Sequence, residues 1–270
     1  MTATELVRLT RDGDIATLLF NDPDRRNAMT RAMGEAFRDR VSELASDPTL
    51  RAVVISGSGR AFSAGGDLEM LERQATTGAA DPGRAWRGIR DEMSSFYRLF
   101  LAVRDLPCPT VAAIQGAAVG AGLCVALGCD LRYVSSEAQL GLNFAKLGVH
   151  PGMAATWTLP RLVGSAQAAE LLFTGRLIDG AEALRIGLAS RALPAAEVLP
   201  AAQETAREIA ANAPIAVRAI KRALMRSEAS SLEDQLQFEA SEQARSFETA
   251  DAREGIAAIR ERRTPRFAGH

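Results

Sequence analysis

The stretch from Pro109 to Val134, PTVAAIQGAAVGAGLCVALGCDLRYV, limits the possible folds of this chain more than any other. Thr110–Ile114 is an apolar run suited to a buried strand. Gln115 and Gly116 break it, Gly120, Ala121 and Gly122 open a second apolar segment, and Gly128 closes that segment before Leu131–Val134, which reads as another strand. The middle piece is apolar on every side, so a helix there is buried all round rather than amphipathic. Its first turn of glycine and alanine presents bare backbone N–H groups, which attract a carboxylate, a phosphate or a developing oxyanion. Small residues also let a ligand approach the main chain closely. Tight helix–sheet packing at a glycine turn accounts for the same pattern.

The rest of the chain must surround such a buried unit. A length of 270 residues, 47% hydrophobic and 24% charged, is enough for a sizeable core in one or two domains of a globular protein. A net charge of −1 argues against a nucleic-acid surface. The segment Met1–Asp14 is polar and mixed in charge, without the apolar centre of a signal peptide. No apolar run is long enough to cross a bilayer, so no membrane partner is expected and the cytoplasm is the expected location.

Metal and nucleophile chemistry find little support. Cys108, Cys124 and Cys129 are odd in number and lack zinc-site spacing. His150 is the one histidine apart from the terminal His270, so any Ser-His-Asp triad would have to centre on it. Walker A, dinucleotide-binding and G-x-S-x-G signatures are absent.

Along the chain, Leu6–Thr10 and Ile15–Phe20 read as strands joined at Asp12-Gly13. A helix is predicted from about Thr30 to Ser46, with Met33, Phe37, Val41 and Leu44 on one face. Ala52–Ser56 reads as a buried strand, the loop Gly57–Gly66 follows, and Asp67 is placed to cap a short helix. Gln74–Gly83 has the composition of a mobile loop. Ile89, Met93, Phe96 and Phe100 mark a second long helix, with Tyr97 and Tyr133 expected in the core or at its rim. Strand-like pieces near 139–142 and then 144–152 lead into short helices at 152–162, 165–173 and 181–186. Ser231 and Asp234 form a capping pair for a helix reaching about Phe247. A composition shift near Leu193–Leu199 divides an expected core, residues 1–195, from a helical C-terminal region, residues 196–270.

Two loops share one design. Ser63-Ala64-Gly65-Gly66 leads into Asp67, and Ala118-Val119-Gly120-Ala121-Gly122 leads into Leu123. Each follows a strand and opens a helix, so together they can aim two N–H groups at one oxygen, an arrangement suited to a thioester carbonyl that becomes an enolate.

In this order and spacing the two loops resemble those of the crotonase family, also called the enoyl-CoA hydratase/isomerase family. The match extends through Pro23–Met29, Gly59–Leu68, Pro109–Asp130, Leu147–Gly152, Glu254-Gly255-Ile256 and Arg263-Thr264-Pro265, nearly the whole chain. The resemblance implies an α/β fold, a crotonase-like spiral of strand–strand–helix units with a helical C-terminal region that builds homo-trimers or hexamers. It implies an acyl-CoA substrate, with coenzyme A arriving on that substrate and no metal or redox cofactor. By the same resemblance, the amides of Gly66 and Ala121 are the oxyanion donors and Ala64 touches the adenine of coenzyme A. The loop Arg25–Ala28 would lie along the CoA moiety, with Arg25 or Arg26 near a phosphate, which the guanidinium fork suits; a solvated loop is the other reading. Asp67, Leu68, Val119, Pro151 and Gly152 fall within the matched substrate-binding motifs.

The departures bear on the reaction. The two glutamates that handle water and its proton in hydratases of the family fall here at Cys124 and Phe144, and a further carboxylate of some relatives falls at Gly152. Phe144 cannot move a proton. Cys124, near the start of the buried helix, reads either as a stabilised thiolate or as a small apolar filler. His150 has a suitable titration range and is either a proton carrier or a loop histidine. The expected function is that of an enoyl-CoA hydratase/isomerase-like lyase or isomerase. Alternatives are decarboxylation of a malonyl-type CoA thioester and a non-catalytic acyl-CoA-binding protein.

Overall fold

The computed structural model describes residues 5–270; the first four residues of the polar N-terminal segment lie outside the described residues. Strand β1 (Val7–Asp12) pairs antiparallel with β2 (Ile15–Phe20) through the turn at Gly13, in register from Val7 opposite Phe20 to Asp12 opposite Ile15. Helix α1 (Arg31–Ala45) follows. Thr30 caps it by accepting a hydrogen bond from Met33 N at 3.1 Å, and Met33, Phe37, Val41 and Leu44 are buried as the 3.6-residue spacing requires.

The middle of the chain repeats one unit. Strands β3 (Ala52–Gly57) and β4 (Ala61–Ser63) precede α2 (Leu68–Ala80) and α3 (Ala85–Leu101). Strands β5 (Thr110–Ile114) and β6 (Ala117–Val119) precede α4 (Ala121–Leu127). Strands β7 (Leu131–Ser135) and β8 (Leu140–Gly141) precede a 3-10 turn, Asn143–Leu147. In every unit the first strand joins one sheet and the second strand joins another. The result is a large sheet that includes β3, β5 and β7 in parallel and a small parallel sheet of order β4-β6-β8. This is the expected spiral.

Helices α5 (Ala155–Val163), α6 (Ser165–Thr174) and α7 (Gly180–Arg185) lead to β9 (Arg191–Leu193), which completes the large sheet in the order β1-β2-β3-β5-β7-β9. Helices α8 (Ala195–Ala210), α9 (Pro214–Ser227), α10 (Leu232–Phe247) and α11 (Ala250–Glu261) end the chain.

Both faces of the large sheet are covered, which is why β3 and β5 are buried at every position and mostly apolar rather than alternating. Val53, Ile55, Ala112 and Ile114 point into the main core with Phe20, Phe37, Phe62 and Phe100. Ala52, Val54, Val111 and Ala113 point the other way, onto Val198, Ala202 and Ala206 of α8. The division expected near residue 195 therefore falls at the start of a helix that packs on the sheet. Farther along, Lys221 of α9 is buried and its Nζ donates to Asp130 Oδ2 at 2.9 Å and to the Cys108 carbonyl at 2.8 Å, which ties the terminal helices to the end of β5.

Three local expectations change. Residues 74–80 are helical rather than a loop, because α2, capped by Asp67, packs along α3; Gly78 faces Ile89, with room for no more than ordinary contact. Helix α5 begins at Ala155 rather than 152, because Met153 and Ala154 adopt left-handed φ values of 52° and 57°. Residues 143–147 form a 3-10 turn rather than a strand-like piece.

Candidate active site

Two strand-to-helix turns converge at the start of α4. The first is held by Asn27, a fully buried residue between Arg26 and Ala28. Its side-chain amide donates to the carbonyls of Ser58 (3.0 Å) and Ala61 (2.9 Å), and its own carbonyl accepts from Ser63 Oγ at 2.7 Å. Ala64 N donates to the Arg26 carbonyl at 2.9 Å, Gly65 N to Ser63 Oγ at 3.1 Å, and Asp67 N to the Met29 carbonyl at 3.4 Å. The amide between them, Gly66 N, donates to no acceptor among the described residues.

In the second turn Gly120 N donates to the Gly141 carbonyl at 2.8 Å, and Cys124 N already returns to the Gly120 carbonyl. Ala121 N, at the first helical position, has no acceptor among the described residues, as the end of a helix leaves it. Glycine is required at both turns. Gly120 has φ 53° and ψ −121°, and Gly65 has φ 101°. A Cβ on Gly65 would lie 2.6 Å from the Val119 carbonyl oxygen and 3.8 Å from Ala121 N, so the two turns are in van der Waals contact.

Ala121 is also part of the wall of a cavity of ≈ 720 Å³ enclosed by α2, α3, the 3-10 turn and the loop after it. Leu68, Leu71, Met93, Phe96, Phe144 and Met153 make its lining largely apolar. Leu68, Phe144, His150 and Gly152 line it as well as Ala121, whereas Arg25, Arg26, Ala28, Ala64, Gly66, Asp67, Val119, Cys124 and Pro151 do not. Glu72 and Gln74 border the cavity; Glu69 does not.

The polar candidates take simple positions. Asp67 is the N-cap of α2, accepting from Met70 N at 2.9 Å, and it also forms an ion pair with Arg25, whose side chain is half exposed. Arg26 is exposed in a left-handed conformation beside Ala64. His150 is exposed and its Nδ1 lies 2.7 Å from the Pro151 carbonyl. Cys124 lies behind the cavity wall, 1% exposed, with its thiol donating to the Gly152 carbonyl at 3.7 Å. Burial pushes its pKa up to about 12, so the thiolate reading gives way to that of an apolar filler.

Two residues were not visible as site components in the sequence. Asn27 has a turn-forming signal but nothing that reveals it as the pin between loops. Tyr97, expected in the core or rim, borders the cavity: a Cβ on Gly152 would sit 2.5 Å from its hydroxyl oxygen. Burial, and after it the neighbouring Cys124, raises the phenol pKa above its ordinary value. Tyr133, in contrast, is a core residue, its hydroxyl 2.9 Å from Thr205 Oγ1.

A spiral of strand–strand–helix units with two touching amide-bearing turns, one of them in the wall of an apolar cavity, defines a class, and comparison with known proteins agrees with it. The family model described as enoyl-CoA hydratase/isomerase matches residues 10–270, and the chain belongs to that family. A Thermus thermophilus protein carried under the provisional name of an enoyl-CoA hydratase is 40% identical over 255 residues, covering 94% of this chain and 98% of that protein. The human enoyl-CoA hydratase domain-containing protein 2, mitochondrial, is 36% identical over 263 residues, 96% of this chain and 87% of the human one. The crystal structure of enoyl-CoA hydratase from Bacillus anthracis superposes with a TM-score of 0.89 at 31% identity, covering 98% of this chain and all of that chain (100%).

Proposed function

We propose that this protein binds an acyl-CoA thioester with its carbonyl oxygen between the amides of Gly66 and Ala121, which stabilise the thioester enolate. The observation that carries the reading is the pair of unpartnered amides on two touching turns, one of them in the wall of a largely apolar cavity. Preorganised donors of this kind act where charge develops and need no rearrangement during the reaction. Leu68 and Phe144 would contact the acyl chain and Ala64 the adenine. Arg25 would leave Asp67, or Arg26 would turn inward, to meet a CoA phosphate. Coenzyme A comes with the substrate, and no metal or redox cofactor enters the proposal; among the described residues no cluster of histidine, cysteine and carboxylate side chains could hold a metal.

Fast hydration is not part of this reading. Water addition needs positioned acid–base groups, and the matched positions hold a buried thiol and a phenyl ring. A specific observation favours a second reaction: the positions matched to the family's carboxylates hold Cys124, Phe144 and Gly152, and Glu72 is the one carboxylate among the residues that line the cavity. A malonyl-type thioester needs no base there. Its C–C bond breaks, carbon dioxide departs, the electron pair enters the thioester as an enolate, and solvent supplies the proton. Incubation of the purified protein with a panel of enoyl-, 3-hydroxyacyl- and malonyl-type CoA thioesters, followed by mass spectrometry, tests the choice. Conversion of one member supports catalysis; binding of all without conversion leaves an acyl-CoA-binding protein.

The assembly proposed is a homo-trimer or a pair of them. Supporting it, Ile220, Leu224, Leu232, Leu236, Phe247 and Ile259 on α9–α11 are large apolar side chains exposed in the single chain, a concentration unusual for a free surface. Sedimentation should give a trimer or its multiple; a stable monomer at micromolar concentration would count against it. No helix among the described residues is long and apolar enough to cross a membrane. The cytoplasm is the location we propose.

A further inference from the structure

The wall of the cavity carries a phenol that the family reading does not use. Tyr97 reaches across from α3, and its hydroxyl occupies the volume that a side chain at position 152 would fill, 2.5 Å from where its Cβ would stand. Gly152 in turn receives the Cys124 thiol at its carbonyl. The phenol therefore lies against two of the three positions at which carboxylates are missing. Its hydroxyl makes no hydrogen bond to any described residue, whereas the other aromatic hydroxyl of the chain, on Tyr133, is paired. Gln74 and His150 are the other lining side chains able to donate, and His150 already has Nδ1 against the Pro151 carbonyl.

Resting on the acyl-CoA reading above, we infer that Tyr97 is a specificity-determining residue whose hydroxyl donates to an oxygen on C3 of the bound acyl chain. The distances suit this role. Cys124, which neighbours the phenol, is one helical turn beyond Ala121 on α4, a spacing of roughly 5–6 Å between side chains on one helix face. A C3 oxygen and one hydrogen bond of about 2.7–2.8 Å span that gap. A phenol is protonated at neutral pH and burial raises its pKa further, so it acts as a donor and not as a base. An apolar wall beside a lone donor should then discriminate between ligands. A 3-hydroxyacyl chain pairs the hydroxyl, and a plain acyl chain leaves it without a partner.

The test is calorimetric binding of 3-hydroxybutanoyl-CoA and butanoyl-CoA to the full-length protein and to Tyr97→Phe, which removes one oxygen and keeps the ring. The natural protein should favour the 3-hydroxy ligand about three- to tenfold, the size of one neutral hydrogen bond. In Tyr97→Phe the preference should vanish or reverse while butanoyl-CoA binds as before. Gly152→Ala, whose methyl displaces the phenol, should lose the preference in the same way. Equal preference in the natural protein and both variants, or none in the natural protein, overturns the role of Tyr97 and leaves the acyl-CoA reading intact. Failure of either ligand to bind the natural protein overturns that reading, and this inference with it.

Discussion

At the mouth of α4 the chain offers main-chain amides, from Gly66 and Ala121; one turn further in it offers only side chains, from Tyr97, Cys124 and Phe144. The first region is held by backbone and buried hydrogen bonds. Asn27, Ser63 and two glycines in left-handed conformations leave the amides little freedom. The second region is composed of side chains that project from α3, α4 and a 3-10 turn and pack in or against the main core. On the proposed reading, the difference teaches that carbonyl activation belongs to the frame, whereas proton handling falls to a few side chains.

The comparison can be broken most easily by a hydration assay. If the second region lacks proton chemistry, loss of the conjugated thioester absorbance of crotonyl-CoA should be slower by about four orders of magnitude or more than in a two-glutamate enzyme, since each positioned acid–base group contributes about 10²–10⁴. Turnover of hundreds per second, on the upper scale of ordinary enzymes near 10³ s⁻¹, would show that another group, His150 first, supplies the proton.

Removing either amide sharpens the claim about the first region. Ala121→Pro places proline at the first helical position, where it is tolerated, and deletes only an N–H that has no internal partner. Gly66→Pro deletes the other; a Cβ there meets nothing closer than Leu71 at 3.7 Å. Each should lower turnover of an accepted thioester by about 10²–10³ while circular dichroism stays unchanged. Full activity in a folded Gly66→Pro variant would end the proposed role.

The smallest effect concerns the thiols. Burial raises Cys124 and Cys129 to about 12 and Cys108 to about 11, from an ordinary value of 9.0. The unfolded chain therefore releases these protons at lower pH than the folded one, and the thiols reduce stability as pH rises above about 9 and not below it. Melting temperature should fall over that range more steeply than in a Cys124→Ala, Cys129→Ala variant. Iodoacetamide at pH 8 should leave the native protein unmodified; prompt alkylation of Cys124 would return it to the list of reactive groups.

Much of the frame was legible along the chain. The apolar runs of β3 and β5 announced buried strands, the glycines at 65 and 120 marked turns, Thr30 marked the start of a helix, and Asp67 and Ser231 were readable as helix caps. Resemblance to a family then indicated which amides matter. Tyr97 was legible only as part of an apolar helical face beside Phe96 and Phe100, because its hydroxyl has no local partner that would set it apart.

What the sequence determined by itself is whatever depends on near neighbours: strand runs, the residues able to adopt left-handed φ, helix caps, and the small residues that leave Gly66 and Ala121 amides bare. What only the tertiary structure decided is whatever depends on separate segments meeting: α8 on the outer face of the large sheet, Asn27 between two loops, Arg25 on Asp67, and Tyr97 against Gly152 and Cys124. The physical reason is range. Hydrogen-bond geometry and steric preference act within a few residues, while burial and packing bring distant segments of the chain together.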